Sequence, residues 1–187
     1  MELLKSIKLW RESNRKFITF IVRFALSFAL LTSFYEGYIY FTNTIGELDL
    51  VTYYISRGSF ETAKMLGVAD CQWSCFLDGC RIGREGKMVN IIEGCNGLRL
   101  AIVYSAYIIG IGGINWNSII QMLIGFFVVQ AFNVLRIGLL IVLRDGSGDY
   151  YFFFIKYLFT LTLYASVVFL WVLKPEIDKA IIKLIGK

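Results

Sequence analysis

The chain contains no histidine in 187 residues. That removes the commonest general base near neutral pH and the commonest metal ligand. It has one proline, which excludes a proline-rich linker or a collagen-like repeat. No low-complexity tract or fixed-period repeat is visible. Charged residues make up only 18% against 57% hydrophobic, and mean hydropathy is +0.64. Soluble domains run near 25% charged and 45–50% apolar, so this composition excludes an ordinary water-dissolved domain. The length fits a single domain, residues 1–187,.

What is present is long apolar runs. A helix needs about 20 mostly apolar residues to cross a hydrocarbon core. Four windows approach or exceed that: Phe17–Phe41, Gly97–Ile114, Ser118–Leu143 and Tyr151–Leu173. The sequence thus predicts an all-α polytopic membrane protein of four spans. The first window is too long for a signal-peptide core, and no small-x-small cleavage site follows it, so it reads as a retained span. Lys5, Lys8, Arg11, Arg15 and Lys16 precede the first span; Lys174, Lys179, Lys183 and Lys187 follow the fourth. By the positive-inside rule both tails are cytoplasmic. The net charge of +5 therefore reads as topology, and no nucleic-acid partner is expected.

Residues 42–96 then lie on the outer face. Leu48, Val51, Ile55, Phe60, Ala63 and Leu66 recur at mostly helical spacing among charges, which predicts an interfacial amphipathic helix; Gly58 interrupts the run and leaves open whether it is one helix or two,. Asp78-Gly79 and Glu85-Gly86 are turn signals and predict a small β-hairpin,. Cys71, Cys75 and Cys80 fall here, and a disulfide from Cys71 or Cys75 to Cys80 would close that hairpin,. Connectivity is not legible. The spacing lacks the paired C-x-x-C knuckles of a zinc site, and no metal or cofactor is expected.

Polar groups inside apolar windows mark helix faces turned away from lipid. Gln130, Asn133 and Arg136 form one stripe in the third window, with Arg136 about 10 Å inside its outer end,. Cys95 stands at the outer mouth of the second window, with Arg99 one turn deeper. Lys156, Thr160 and Tyr164 share a face of the fourth. These groups converge at one depth. Arg99 and Lys156 also have the ordinary alternative of snorkelling to headgroups, and Gln130 and Asn133 that of interhelical hydrogen bonding. Cys95 sits between glycines at a helix start, where the helix dipole and a nearby guanidinium favour a thiolate; the alternative is an unreactive packed cysteine.

Glu93-Gly94-Cys95-Asn96-Gly97-Leu98-Arg99 before a span resembles the E-x-C-[SN]-G motif of the exosortase/archaeosortase family. Asn133-Val134-Leu135-Arg136-Ile137 resembles its N-x-x-R-[IV] motif, in the same order. The resemblance covers residues 43–171 and is nearest to the small Bacteroidetes-type form. It implies a membrane cysteine protease or transpeptidase of the inner membrane that acts at its periplasmic face. Its substrate would be a membrane-tethered protein with a C-terminal sorting signal, a short motif followed by a transmembrane helix and a basic tail. Carried over, Cys95 is the nucleophile and Arg136 the oxyanion stabiliser. Glu93, Asn96, Gly97, Arg99 and Asn133 are supporting residues.

The family's third catalytic residue is a histidine near the outer start of the last span. Backward alignment from Phe159 and Tyr164-Ala165 puts it at Ile155, with Lys156 beside it as the one nearby substitute base,. The rival expectations are a non-catalytic relative that binds sorting signals or supports an assembly, and a membrane thiol oxidoreductase using the outer cysteines. Membrane lipid is the other expected partner; oligomeric state is not encoded legibly.

Overall fold

The computed structural model describes residues 14–146 and 149–185, without the side chains at 149–156, 159, 182, 184 and 185. Helix α1 spans Arg15–Ile45 and ends on Gly46 in the left-handed conformation, whose N–H satisfies the last carbonyls,. Three residues later Asp49 caps α2 (Leu50–Met65), accepting from the Thr52 N–H at 2.8 Å,. Three strands follow, β1 (Gln72–Phe76), β2 (Gly79–Arg84) and β3 (Lys87–Ile91), in the order β1-β2-β3 and all antiparallel. A 3-10 turn at Glu93–Cys95 leads into α3 (Leu98–Gly112). Then come α4 (Trp116–Gly146) and α5 (Asp149–Ile185).

Among the described residues, three helical segments are long and apolar enough to cross a membrane: Arg15–Ile45, Trp116–Gly146 and Thr160–Ile181. None of the residues in the apolar window of α1 is buried within the chain. Leu26, Leu30, Phe34 and Phe41 stand exposed along it. Such a surface is stable against hydrocarbon and unstable against water.

The structure refines the sequence expectations in three places. The second window forms a helix of 15 residues, about 22 Å, shorter than a hydrocarbon core. The expected hairpin is a three-stranded meander, because Glu85-Gly86 makes a second tight turn that returns Lys87–Ile91 onto β2. The fold is therefore mostly helical with a small sheet. Finally, α2 is unbroken at Gly58. That glycine faces α4, where an added Cβ would lie 3.3 Å from both methyls of Val134. The buried face of α2 carries Thr52, Ile55, Ser56, Ser59 and Ala63 and packs on α4 and the sheet.

Packing is sequential. Helix α1 packs on α3, α3 on α4, and α4 on both α2 and α5. Tyr35 meets Glu93, Asn133 meets Cys95, and Arg136 meets Thr160. At the far end Phe20 lies against Tyr107, and Asn117 bonds Asp178. The four apolar helices thus run alternately up and down. The sheet sits where α1 ends, α3 begins, α4 ends and α5 begins.

Three clusters result, a small one of Tyr35, Ile39 and Ile102 and two larger ones with different physics. Beneath the sheet, Ile55, Ala63, Val68, Ile82, Ile91, Ile137 and Ile141 form a cluster. In water each such large side chain contributes about 1.5–3 kcal/mol on full burial. Among the helices, Tyr104, Ile108, Val129, Leu163, Val167 and Leu170 form another. In lipid that cluster gains no hydrophobic drive, so it depends on close approach at small residues. Gly125 provides one: a Cβ there would overlap the fully buried ring of Tyr104.

Gly125→Ala is therefore expected to cost about 1–3 kcal/mol through overpacking. Gly37→Ala, with nothing within 4 Å of its added Cβ, is expected to be neutral or slightly stabilising. Thermal aggregation of the detergent-solubilised variants measures both, and equal midpoints would contradict this packing.

Candidate active site

The segment Glu93–Gly97 has a distinct fixed task at four of its five positions. Glu93 accepts from the Tyr35 hydroxyl at 3.0 Å and pairs with Arg99 at 3.6 Å. Cys95 gives its carbonyl to the amide of Asn133 at 2.8 Å. Asn96, 1% exposed, is a hub. Its Oδ1 accepts from the Leu98 N–H at 3.0 Å, and its Nδ2 faces Thr52 Oγ1 at 3.4 Å and Asp49 Oδ1 at 3.5 Å. Gly97 has φ +73°, and an added Cβ would stand 3.0 Å from Asn133 Nδ2. Backbone conformation and the approach of α4 both require glycine there.

Helix α4 supplies the second half. Asn133 is fully buried and uses both ends of its amide: Nδ2 donates to Cys95, and Oδ1 accepts from Arg136 Nη1 at 3.1 Å. Nη2 of Arg136 donates to Thr160 Oγ1 of α5 at 3.1 Å. The buried Nε has no partner among the described residues. A half-buried guanidinium is thus aimed by α4 and α5 with its buried Nε unused,.

Cys95 and Arg136 line the same cavity, about 170 Å³ in volume, together with Met88–Ile91 of β3 and Ile137 and Leu140 of α4. The half-buried Cys95 thiol is free, as is Cys71, while Cys75 and Cys80 are disulfide-bonded across β1 and β2. Of the two pairings open in the sequence, the hairpin takes the one that joins directly opposed residues. Burial pushes the Cys71 thiol above its ordinary value,.

Arg99 departs from the expected convergence. It is exposed and turns to α1, pairing with Glu36 at 3.2 Å as well as with Glu93. Those carboxylates hold it on a separate cavity of about 380 Å³, lined also by Asp49 and Gly94. Gln130 is buried beside Gly97 and its amide has no partner among the described residues. The side chains of Ile155 and Lys156 lie outside the described residues. Among those described, no three His, Cys, Asp or Glu side chains converge as a metal-binding group.

Three contributors were missed in the sequence: Tyr35, Asp49 and Thr52, which brace Glu93 and Asn96. Asp49 had a readable signal, an acidic residue directly before an apolar helical run. Tyr35 had none, being one aromatic in an apolar window. Thr160 was visible as polar, and the structure gives it a task on Arg136.

Removing the Asn133 amide leaves a carbonyl and a guanidinium without their shared partner. Asn133→Ala is expected to lose about 1–3 kcal/mol, read as a lower unfolding midpoint in detergent; an unchanged midpoint would contradict the bridging role. For Cys71, burial disfavours the thiolate. Its alkylation rate should therefore keep climbing at pH values above those where an ordinary thiol levels off, measured by intact mass after timed iodoacetamide pulses. Ordinary pH dependence would contradict the buried placement.

Comparison of the chain with protein-family models, with curated proteins and with solved structures gave no match.

Proposed function

We propose that this chain is an exosortase-like membrane cysteine peptidase or transpeptidase, with Cys95 as nucleophile and Arg136 as oxyanion donor. One observation carries the reading: Cys95 and Arg136 line one cavity, and a single buried amide, Asn133, bonds both residues.

The proposed topology has four crossings. The apolar helix Leu98–Gly112 is the short one; the 3-10 turn ahead of it extends it at the sheet end, where its start reaches only the headgroup layer. Basic residues before α1 and along the end of α5 put both tails in the cytoplasm of an inner membrane, with the sheet and cavity at the periplasmic face,.

In the proposed chemistry the Cys95 thiol gives its proton to water as its sulfur bonds to a scissile carbonyl carbon, and the carbonyl oxygen takes the charge beside Arg136,. The amide C–N bond then breaks as the departing nitrogen gains a proton. The thioester passes to water or to an acceptor amine. Arg136 stays protonated and cannot supply that proton. Histidine is the usual donor, and the chain has none. Lys156, the substitute the sequence offers, or water must serve, so turnover is slow,. The substrate is a membrane-tethered protein with a C-terminal sorting signal. The absence of histidine also favours a second reading, a non-catalytic relative that binds such signals.

Reconstituted protein incubated with a tailed substrate tests the two. Slow cleavage lost in Cys95→Ala supports the enzyme. Ile155→His should raise the rate by about 10²–10⁴-fold, which also tests that position as the vacant one. Binding without cleavage by either form, unaffected by Cys95→Ala, supports the binder. Cleavage that survives Cys95→Ala, or redox cycling that needs Cys71, Cys75 or Cys80, overturns both.

A further inference from the structure

Strand β3 is an edge of the sheet. Its connection to β2 is the two-residue turn Glu85-Gly86, which makes Arg84 and Lys87 a pair that exchanges hydrogen bonds,. Alternate pairs follow suit, Ile82 with Val89 and Cys80 with Ile91. The glycines of β2 report the same phase independently. A Cβ added to Gly83 would collide with the carbonyl oxygen of Lys87, and one on Gly79 with that of Ile91. Those oxygens face β2. By the two-residue period of a strand, the N–H and C=O groups of Met88 and Asn90 face away from the sheet. Neither residue has a further hydrogen-bond partner among the described residues.

That free edge borders the cavity containing Cys95 and Arg136, which Met88, Val89, Asn90 and Ile91 all line. At about 170 Å³ the cavity is below the roughly 300–1,000 Å³ of drug-sized pockets. It suits a short length of chain.

We propose that β3 is a docking strand: an extended peptide pairs with its free edge as a fourth strand, bonded to the main chain of Met88 and Asn90. This rests on the function proposed above and adds how its substrate is held. Pairing lays a peptide carbonyl between the Cys95 sulfur and the Arg136 guanidinium. Only an extended backbone repeats donors and acceptors at the spacing of this edge, so a helix or a lipid headgroup does not match it. Recognition is then mostly of main chain. Side-chain preference falls on alternate peptide residues, with apolar ones toward Ile137 and Leu140.

Disulfide exchange at Cys95 reads this docking without any cleavage step. The probe is a five-residue peptide alternating valine and threonine about a central cysteine, supplied as its mixed disulfide with 2-mercaptoethanol. The protein is the full chain carrying Cys71→Ser, in detergent. The Cys95 thiolate displaces 2-mercaptoethanol and forms a new S–S bond to the peptide. Under excess 2-mercaptoethanol the captured fraction, read by intact mass, reports the peptide's own affinity. Two control peptides are methylated on every second amide, one in each phase. One phase should lose capture about tenfold, the effect of one or two lost hydrogen bonds, and the other should keep it. Asn90→Pro, which removes an edge donor while sparing the ladder to β2, should lower capture of the unmethylated peptide to the same level. Equal capture of all three peptides by the unsubstituted strand overturns the docking and leaves the proposed function standing. Phase-dependent capture without cleavage of a tailed substrate keeps the docking and makes the chain a binder. Failure of Cys95 to exchange with any disulfide, 2-hydroxyethyl disulfide included, overturns both.

Discussion

One buried amide decides whether this chain has a site at all. Asn133 donates to the Cys95 carbonyl and accepts from the Arg136 guanidinium. It therefore sets the start of α3 against α4 and aims the cation in a single stroke. An Asn side chain has just enough groups for this, and its full burial makes any unpaired alternative costly. Gly97 is the counterpart on α3, since any larger residue would push Asn133 away. The braces on the other side, Asn96 with Asp49 and Thr52 and Glu93 with Tyr35, fix the same turn from α1 and α2. Four helices thus meet on five residues, Glu93–Gly97.

The two halves of the molecule are held by different forces. The sheet-end cluster around Ile82 and Ile91 is a hydrophobic core in the aqueous sense, and the Cys75–Cys80 disulfide restrains the loop above it. The helical half exposes its apolar side chains, which demands an apolar surrounding, and its cohesion comes from close contact at positions such as Gly125. The cavity lies at the junction, with α4 common to both halves. There the half-buried Cys95 and the edge strand β3 border the same cavity.

Sequence legibility followed the range of the interactions. Apolar windows, turn dipeptides and the two motifs are local patterns, and the helices, tight turns and the Cys95–Arg136 meeting all came from them. The register of the third strand was not legible, because Lys87–Ile91 reads equally as a lead-in to the cysteine. Arg99 was misjudged for a related reason: helical spacing puts it near Cys95, but its side chain follows Glu36, a carboxylate 63 positions away. The long tie of Asn96 to Asp49 was equally hidden, since nothing in one sequence links those positions. Proton transfer stands apart. The chain lacks histidine altogether, and a guanidinium donates hydrogen bonds without moving a proton.

The meeting of sulfur and guanidinium is tested most directly by charge-selective modification of Cys95. In the Cys71→Ser chain, the reaction rates of the anionic sulfonatoethyl and the cationic aminoethyl methanethiosulfonates are compared, then measured again after Arg136→Gln. A guanidinium within one small cavity of the thiol should favour the anionic reagent by about tenfold, and Arg136→Gln should abolish that preference. A rate ratio that does not change on replacing Arg136 would mean the two groups do not share a site.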